Sequence, residues 1–81
     1  MRKKIVEVSW VDPTTEAGWI EDDNHTQPLP TLKSYGILVS KSKKLVVLAG
    51  SYDPDQKKYA DRFKWPTGCV KDIRVIEEVE L

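Results

Sequence analysis

The sequence predicts an all-β domain, a small five-stranded SH3-like barrel. Three observations carry the prediction: five short segments in which apolar residues recur every second position or run together, an early connection of about twenty residues, and one turn-forming "PTG" ahead of the last segment. An OB-like barrel is the alternative, but it places a full helix between its third and fourth strands, and residues 53–58 are too few for one.

In "KKIVEVSWV" (3–11), Val6, Val8 and Trp10 share one face and Glu7 and Ser9 the other, the pattern of a half-buried strand over about 4–11. Asp12-Pro13 ends it, because proline has no ladder donor and biases its predecessor to extended or turn geometry. Residues 12–32 keep neither period and hold Pro13, Gly18, Pro28 and Pro30, so they form the long first loop. Loops of that length in compact domains are either functional or disordered. Trp19, Ile20, Leu29 and Leu32 argue for a loop fastened to the body.

"KSYGILVS" (33–40) reads as the second strand, with Tyr35, Ile37 and Val39 on one side and Gly36 and Leu38 on the other. The polar turn "KSKK" (41–44) leads to "LVVLAGSY" (45–52), whose unbroken apolar run suits a strand covered on both faces. "DPDQKK" (53–58) has the chemistry of a tight turn. "YADRFKW" (59–65) alternates again, and Asp61 on its apolar side places the start of that strand at an edge. "PTGCV" (66–70) fits a tight turn or one turn of 3-10 helix. In "KDIRVIEEVEL" (71–81), apolar residues at 70, 73, 76 and 79 also suit a helix, but β-branched Ile73, Val75 and Ile76 favour a strand over 71–76 with a frayed acidic tail.

With 81 residues the chain is a single domain, 1–81. A domain of that size buries only about 60–65% of its unfolded surface, which leaves little room for a deep active site. No apolar run approaches the roughly 20 residues of a spanning helix, and no signal-peptide core follows Met1-Arg2-Lys3-Lys4, so a cytoplasmic protein without membrane partners is expected. One cysteine and one histidine exclude an internal disulfide and the usual four-ligand zinc set. No cofactor is expected.

Catalytic chemistry has few candidates. Cys69 and His25 form a nucleophile and base only if the long loop crosses the 66–70 turn, and Asp22 and Asp23 are adjacent acids in a solvated loop. Asp22, Asp23, Asn24 and His25 offer oxygen and imidazole ligands, but without the alternate acids, central glycine and final glutamate of an EF-hand. No phosphate-cradling glycine-rich loop is present. The expectation is a chain that is not an enzyme.

Charge is distributed in blocks although the net value is zero: six acids and no lysine or arginine between Ile5 and Leu32, then ten bases against four acids from Lys33 to Arg74. Such blocks either neutralise neighbours or present opposed faces to a partner or to a second copy, making a homo-oligomer one expectation. Lys41, Lys43, Lys44, Lys57, Lys58, Arg62 and Lys64, beside Tyr52, Tyr59 and Trp65, suggest a strip for single-stranded nucleic acid, against which stands a pI of about 6.6. Three tryptophans stand out. Trp10 belongs to the core, Trp65 is expected half in the core and half at the rim, and Trp19 is either a plug that fastens the loop or an exposed anchor.

The chain resembles a group of small bacteriophage and prophage accessory proteins through "VSWVD" (8–12), Trp19, "YGILVS" (35–40), "LVVLAGS" (45–51) and "KWPTGCVKDIRVI" (64–76). Relatives more often carry an aliphatic residue where Trp65 stands. The resemblance implies no established activity; it suggests a non-enzymatic binding module that engages a host protein or sequesters a signalling nucleotide. The expected ligand-binding or partner-binding surface comprises Trp19, Asp22, Asp23 and His25 of the loop, Lys41, Lys43 and Lys44 of the first turn, and Trp65. In a meander alternate turns share an end, so 41–44 and 66–69 should lie together.

Overall fold

The computed structural model describes residues 2–13, 19 and 29–81. Five strands account for most of them: β1 (Arg2–Val11), β2 (Thr31–Lys41), β3 (Leu45–Asp53), β4 (Lys58–Pro66) and β5 (Val70–Glu80), with one 3-10 turn, Thr67–Cys69, before the last. All pairings are antiparallel, in the order β4-β3-β2-β1-β5. A four-stranded meander whose fifth strand returns to the first is the strand order of an SH3-like barrel. The ends of the sheet do not hydrogen-bond to each other, so it is unclosed.

β2 serves two neighbours in succession. Its residues from Thr31 to Ile37 pair with β1, and those from Ile37 to Lys41 pair with β3. Gly36 lies at this handover, where a Cβ atom would stand 2.7 Å from the carbonyl oxygen of Ala49. Only a residue without a side chain lets the two backbones approach so closely.

The inner face follows the alternation in β1. Val6 and Val8 are fully buried with Val46, Leu48 and Trp65, and Trp10, Leu38, Val70 and Ile73 pack against them. Val46, Val47, Leu48 and Ala49 are all buried, so β3 is covered on both faces as its apolar run predicts. Trp10 lies with its ring centroid 5.7 Å from Phe63 and 5.5 Å from Trp65. At the other end of the same two strands, the Lys3 ammonium sits 5.1 Å from the ring centre of Tyr59. β4 therefore folds over β1 along its length, which is the curl of a small barrel.

Strand bounds and one residue's burial differ from expectation: β1 starts at Arg2 and β2 at Thr31, so the connection expected over 12–32 ends two residues earlier, where Trp10 and Val11 pair with Leu32 and Thr31. β5 continues as strand to Glu80, with no frayed or helical tail. Its helix-like apolar spacing comes from register shifts between Ser9 and Trp10 and between Ile5 and Val6, which insert Lys71 and Ile76 as extra residues. A bulge turns a period of two into a local period of three. Trp65, expected to be half at the rim, is 3% exposed. It stands opposite Val46 in β3, and the curl of β4 onto Trp10 covers its other side.

The β3–β4 turn is built as its sequence predicts. The Asp53 carboxylate accepts from the backbone N–H of Asp55 at 2.9 Å and of Gln56 at 3.3 Å, and Lys57 closes the turn at a φ of 55°. Asp61 also has positive φ, 56°. It faces Gly50, where a Cβ would lie 3.3 Å from that of Asp61, and its carboxylate accepts from the Ser51 hydroxyl at 3.2 Å. The kink falls on the edge strand, as the acid in that apolar row anticipates.

Candidate functional site

The two turns expected to share an end are stitched together. Ser42 organises the first: its hydroxyl oxygen accepts from the N–H of Lys44 at 3.2 Å and of Leu45 at 3.1 Å, and its own N–H donates to the Leu45 carbonyl at 2.9 Å. Thr67, the first residue of the 3-10 turn, donates its N–H to the Lys44 carbonyl at 3.0 Å and its hydroxyl to the Ser42 carbonyl at 2.8 Å. Pro66 has no N–H to lose where β4 ends, and its φ of −57° starts the 3-10 turn without strain.

Beside this junction lies an open depression of about 220 Å³. Val46, Val70 and Ile73 give it an apolar floor, and Lys41, Thr67, Lys71 and Asp72 surround it with polar groups. Lys43 and Lys44 are exposed on the adjoining turn. Lys41 and Lys71 thus stand at an apolar floor, with Asp72 as the one acid among the lining residues. Such a surface suits an anionic group attached to an aliphatic body.

Of the residues singled out in the sequence, Lys41 lines the depression, and Lys43 and Lys44 are exposed on the neighbouring turn without lining it. Trp65 underlies it in the core and presents no ring to a ligand. Trp19 is fully exposed, at 104% of its reference area, so its ring is not a plug buried against the described residues. Asp22, Asp23 and His25 lie outside the described residues, as do Asn24 and Ile20. Cys69 is a free, half-buried thiol in the 3-10 turn.

The suggested nucleic-acid strip is divided by the fold. Lys57 and Lys58 are at the far end of β3 from Lys41, Lys43 and Lys44, about 30 Å along a strand of nine residues. Trp65 is buried against Trp10 and Phe63 packs on both with half its surface exposed, while Arg62 and Lys64 alternate to the other side of β4. The rings and the bases of β4 thus lie on opposite faces of the strand. Tyr52 and Tyr59 do form a pair, 4.9 Å apart, but Lys3 already lies over both rings.

Sequence reasoning missed one cluster. Glu7, assigned to the polar side of β1, is 7% exposed. Tyr35 of β2 and Arg74 of β5 stand directly across from it on either side. The Tyr35 hydroxyl donates to Glu7 Oε2 at 2.9 Å, Arg74 Nη2 donates to the same oxygen at 3.0 Å, and Lys33 Nζ lies 3.5 Å from Oε1. The Arg74 hydrogen bond, followed by that from Tyr35, holds the Glu7 carboxyl down at about 2. Glu7 in turn raises the Tyr35 hydroxyl above its ordinary value through their hydrogen bond. A carboxylate saturated with donors and ionised throughout the neutral range is a poor general acid or base. Its role is to tie β2, β1 and β5 together. Only the strand register brings 7, 35 and 74 into one row, and no local pattern announces it.

No helix among the described residues is long and apolar enough to cross a membrane. Compared with known proteins, the chain matches no family model, no curated protein and no solved structure.

Proposed function

We propose that this chain is a non-enzymatic binding module of phage accessory type that takes an acidic segment of a host protein at the junction of the 42–44 and 67–69 turns. The observation that carries the reading is the depression with an aliphatic floor and Lys41 and Lys71 at its edge. A glutamate or aspartate flanked by an aliphatic side chain satisfies both halves of that surface, the carboxylate by the lysines and the side chain by Val70 and Ile73, which lie over fully buried Val46. Exposed Trp19 supplies a second contact of the kind that anchors protein interfaces.

Sequestration of a signalling nucleotide shares the anion chemistry, because a phosphate would take the same lysines. None of the described residues lining the depression is aromatic, so the site lacks a ring on which a base would stack, and an acidic peptide fits better. Selection from a random peptide library tests this. Wild-type protein should enrich acidic sequences with a neighbouring aliphatic residue, and Lys41→Glu combined with Lys71→Glu should abolish that enrichment. Enrichment without acids, or enrichment indifferent to the double variant, would overturn the reading. A rise in thermal midpoint with cyclic or linear dinucleotides, lost in the same variant, would favour the nucleotide instead.

A further inference from the structure

Among the described residues, the sheet ends in two strands with one neighbour each, β4 and β5. They are not equally open to another strand. The outer edge of β4 is kinked by Asp61 at a φ of 56° and closed by Pro66, which has no N–H to offer. β5 runs for 11 residues with all but three of them exposed, and in its middle Val75 and Ile76 are 48% and 47% exposed. These two apolar residues sit between a base and an acid, in the order Arg74-Val75-Ile76-Glu77.

That order is self-complementary in the antiparallel sense. Two copies of β5 laid side by side about a two-fold axis between residues 75 and 76 place Arg74 of each copy opposite Glu77 of the other, and Val75 opposite Ile76. Opposed residues in an antiparallel pair point to the same face of the sheet, whereas residues 74 and 77 of a regular strand point to opposite faces. Here the register shift resolves the conflict. Arg74 stands across from Glu7 and Glu77 across from Ile5, and Glu7 and Ile5 share a face of β1, so Arg74 and Glu77 share a face of β5. The extra residue, Ile76, is what allows the charges to meet. Arg74 keeps its bond to Glu7 in this arrangement, since its side chain is 62% exposed and a guanidinium has further donors.

We infer that β5 is a self-association edge, through which two copies of this chain join their sheets antiparallel about Val75 and Ile76, with Arg74 and Glu77 as reciprocal charge pairs. The partner is a second copy and not an unrelated strand, because it is the chain's own sequence that supplies both members of each pair.

Sedimentation velocity over a concentration series tests the inference. The wild type should show a reversible monomer–dimer equilibrium that weakens with salt. Glu77→Lys sets like charges opposite Arg74 in both pairs and should weaken the dimer on the order of tenfold or more. Ile76→Lys, which places a charge in the apolar centre, should do the same, while Asp55→Lys makes the same charge change as Glu77→Lys in the distant β3–β4 turn and should leave the dimer intact. Circular dichroism confirms that each variant is folded, and two independent variants guard against one that is not. A wild type that stays monomeric at its highest attainable concentration, a dimer indifferent to both β5 variants, or equal loss in Asp55→Lys would overturn the inference.

Discussion

The rings of Trp10 on β1 and Trp65 on β4 lie 5.5 Å apart, although β2 and β3 separate those strands in the sheet. In a flat sheet, at about 4.8 Å per strand, the backbones would be roughly 14 Å apart with parallel side chains that never meet. Contact between the two indoles requires the sheet to curl until β4 faces its third neighbour, β1. The indole of Trp10 is fixed on the other side by donating its N–H to the Ser34 hydroxyl at 3.0 Å.

This contact makes Trp65 the residue on which the curl of the sheet depends. Trp65→Ala should cost about 3–5 kcal/mol, the range for deleting a buried aromatic ring, which in a domain of this size leaves little folded protein at room temperature. Trp65→Phe should cost far less. The Trp65 indole N–H is buried without a hydrogen-bond partner among the described residues, so phenylalanine gives up area but breaks no bond. Urea denaturation of the two variants checks the ordering; equal losses would mean that the indole nitrogen has a partner.

Gly36 sets the place where β2 leaves β1 for β3. With a Cβ only 2.7 Å from the Ala49 carbonyl oxygen, a backbone atom that cannot rotate away, Gly36→Ala forces the strands apart. The expected cost is about 1–3 kcal/mol, typical of overpacking, despite the better strand propensity of alanine. Amide exchange should localise the damage to the Ile37–Ala49 pairing, with the β1–β5 ladder less affected.

The Glu7 cluster predicts how the protein responds to acid. A carboxyl whose folded value is about 2, against an ordinary 4.5, contributes stability that is fully present above the ordinary value and is lost as pH falls through that interval. Thermal midpoints of the wild type should therefore hold from neutral pH to about 5 and then decline steadily toward 2. Glu7→Gln should lower the midpoint at pH 7, because Arg74 loses its anionic acceptor, and should flatten the decline between 5 and 2. A variant that keeps the wild-type acid slope would assign the slope to other carboxylates.

These residues also mark what the sequence does and does not disclose. Periodicity reads Val6, Val8 and Trp10 as one face because alternation within a strand is local. Turn chemistry places Thr67–Cys69 and the Asp53 turn for the same reason. Glu7 looks solvent-facing until Tyr35 and Arg74 arrive from 28 and 67 positions away. Trp65 looks half-exposed until the curl of β4 brings Trp10 across. β5 reads as a strand through its β-branched residues, but its apolar spacing also suits a helix because its bulges, which no residue type specifies, alter its period. What escaped was register and curvature, both properties of the assembled sheet. Of the candidate surface, Lys41, Lys43 and Lys44 were legible because a meander determines which turns share an end, whereas Lys71 and Asp72 join it only through the bulged start of β5.

Trp19 offers the sharpest division between folding and binding. A fully exposed indole contributes no burial to stability. Trp19→Ala should accordingly leave the unfolding free energy within about 0.5 kcal/mol of wild type, the usual range for surface substitutions, while weakening capture of the acidic partner. Fluorescence separates the three tryptophans directly. Acrylamide should quench wild-type emission with an accessible component that disappears in Trp19→Phe, leaving the shielded emission of Trp65 and half-buried Trp10. Loss of stability comparable to that expected for Trp65→Ala, or an unchanged quenching profile in Trp19→Phe, would place the indole against the body of the domain and remove it from the binding surface.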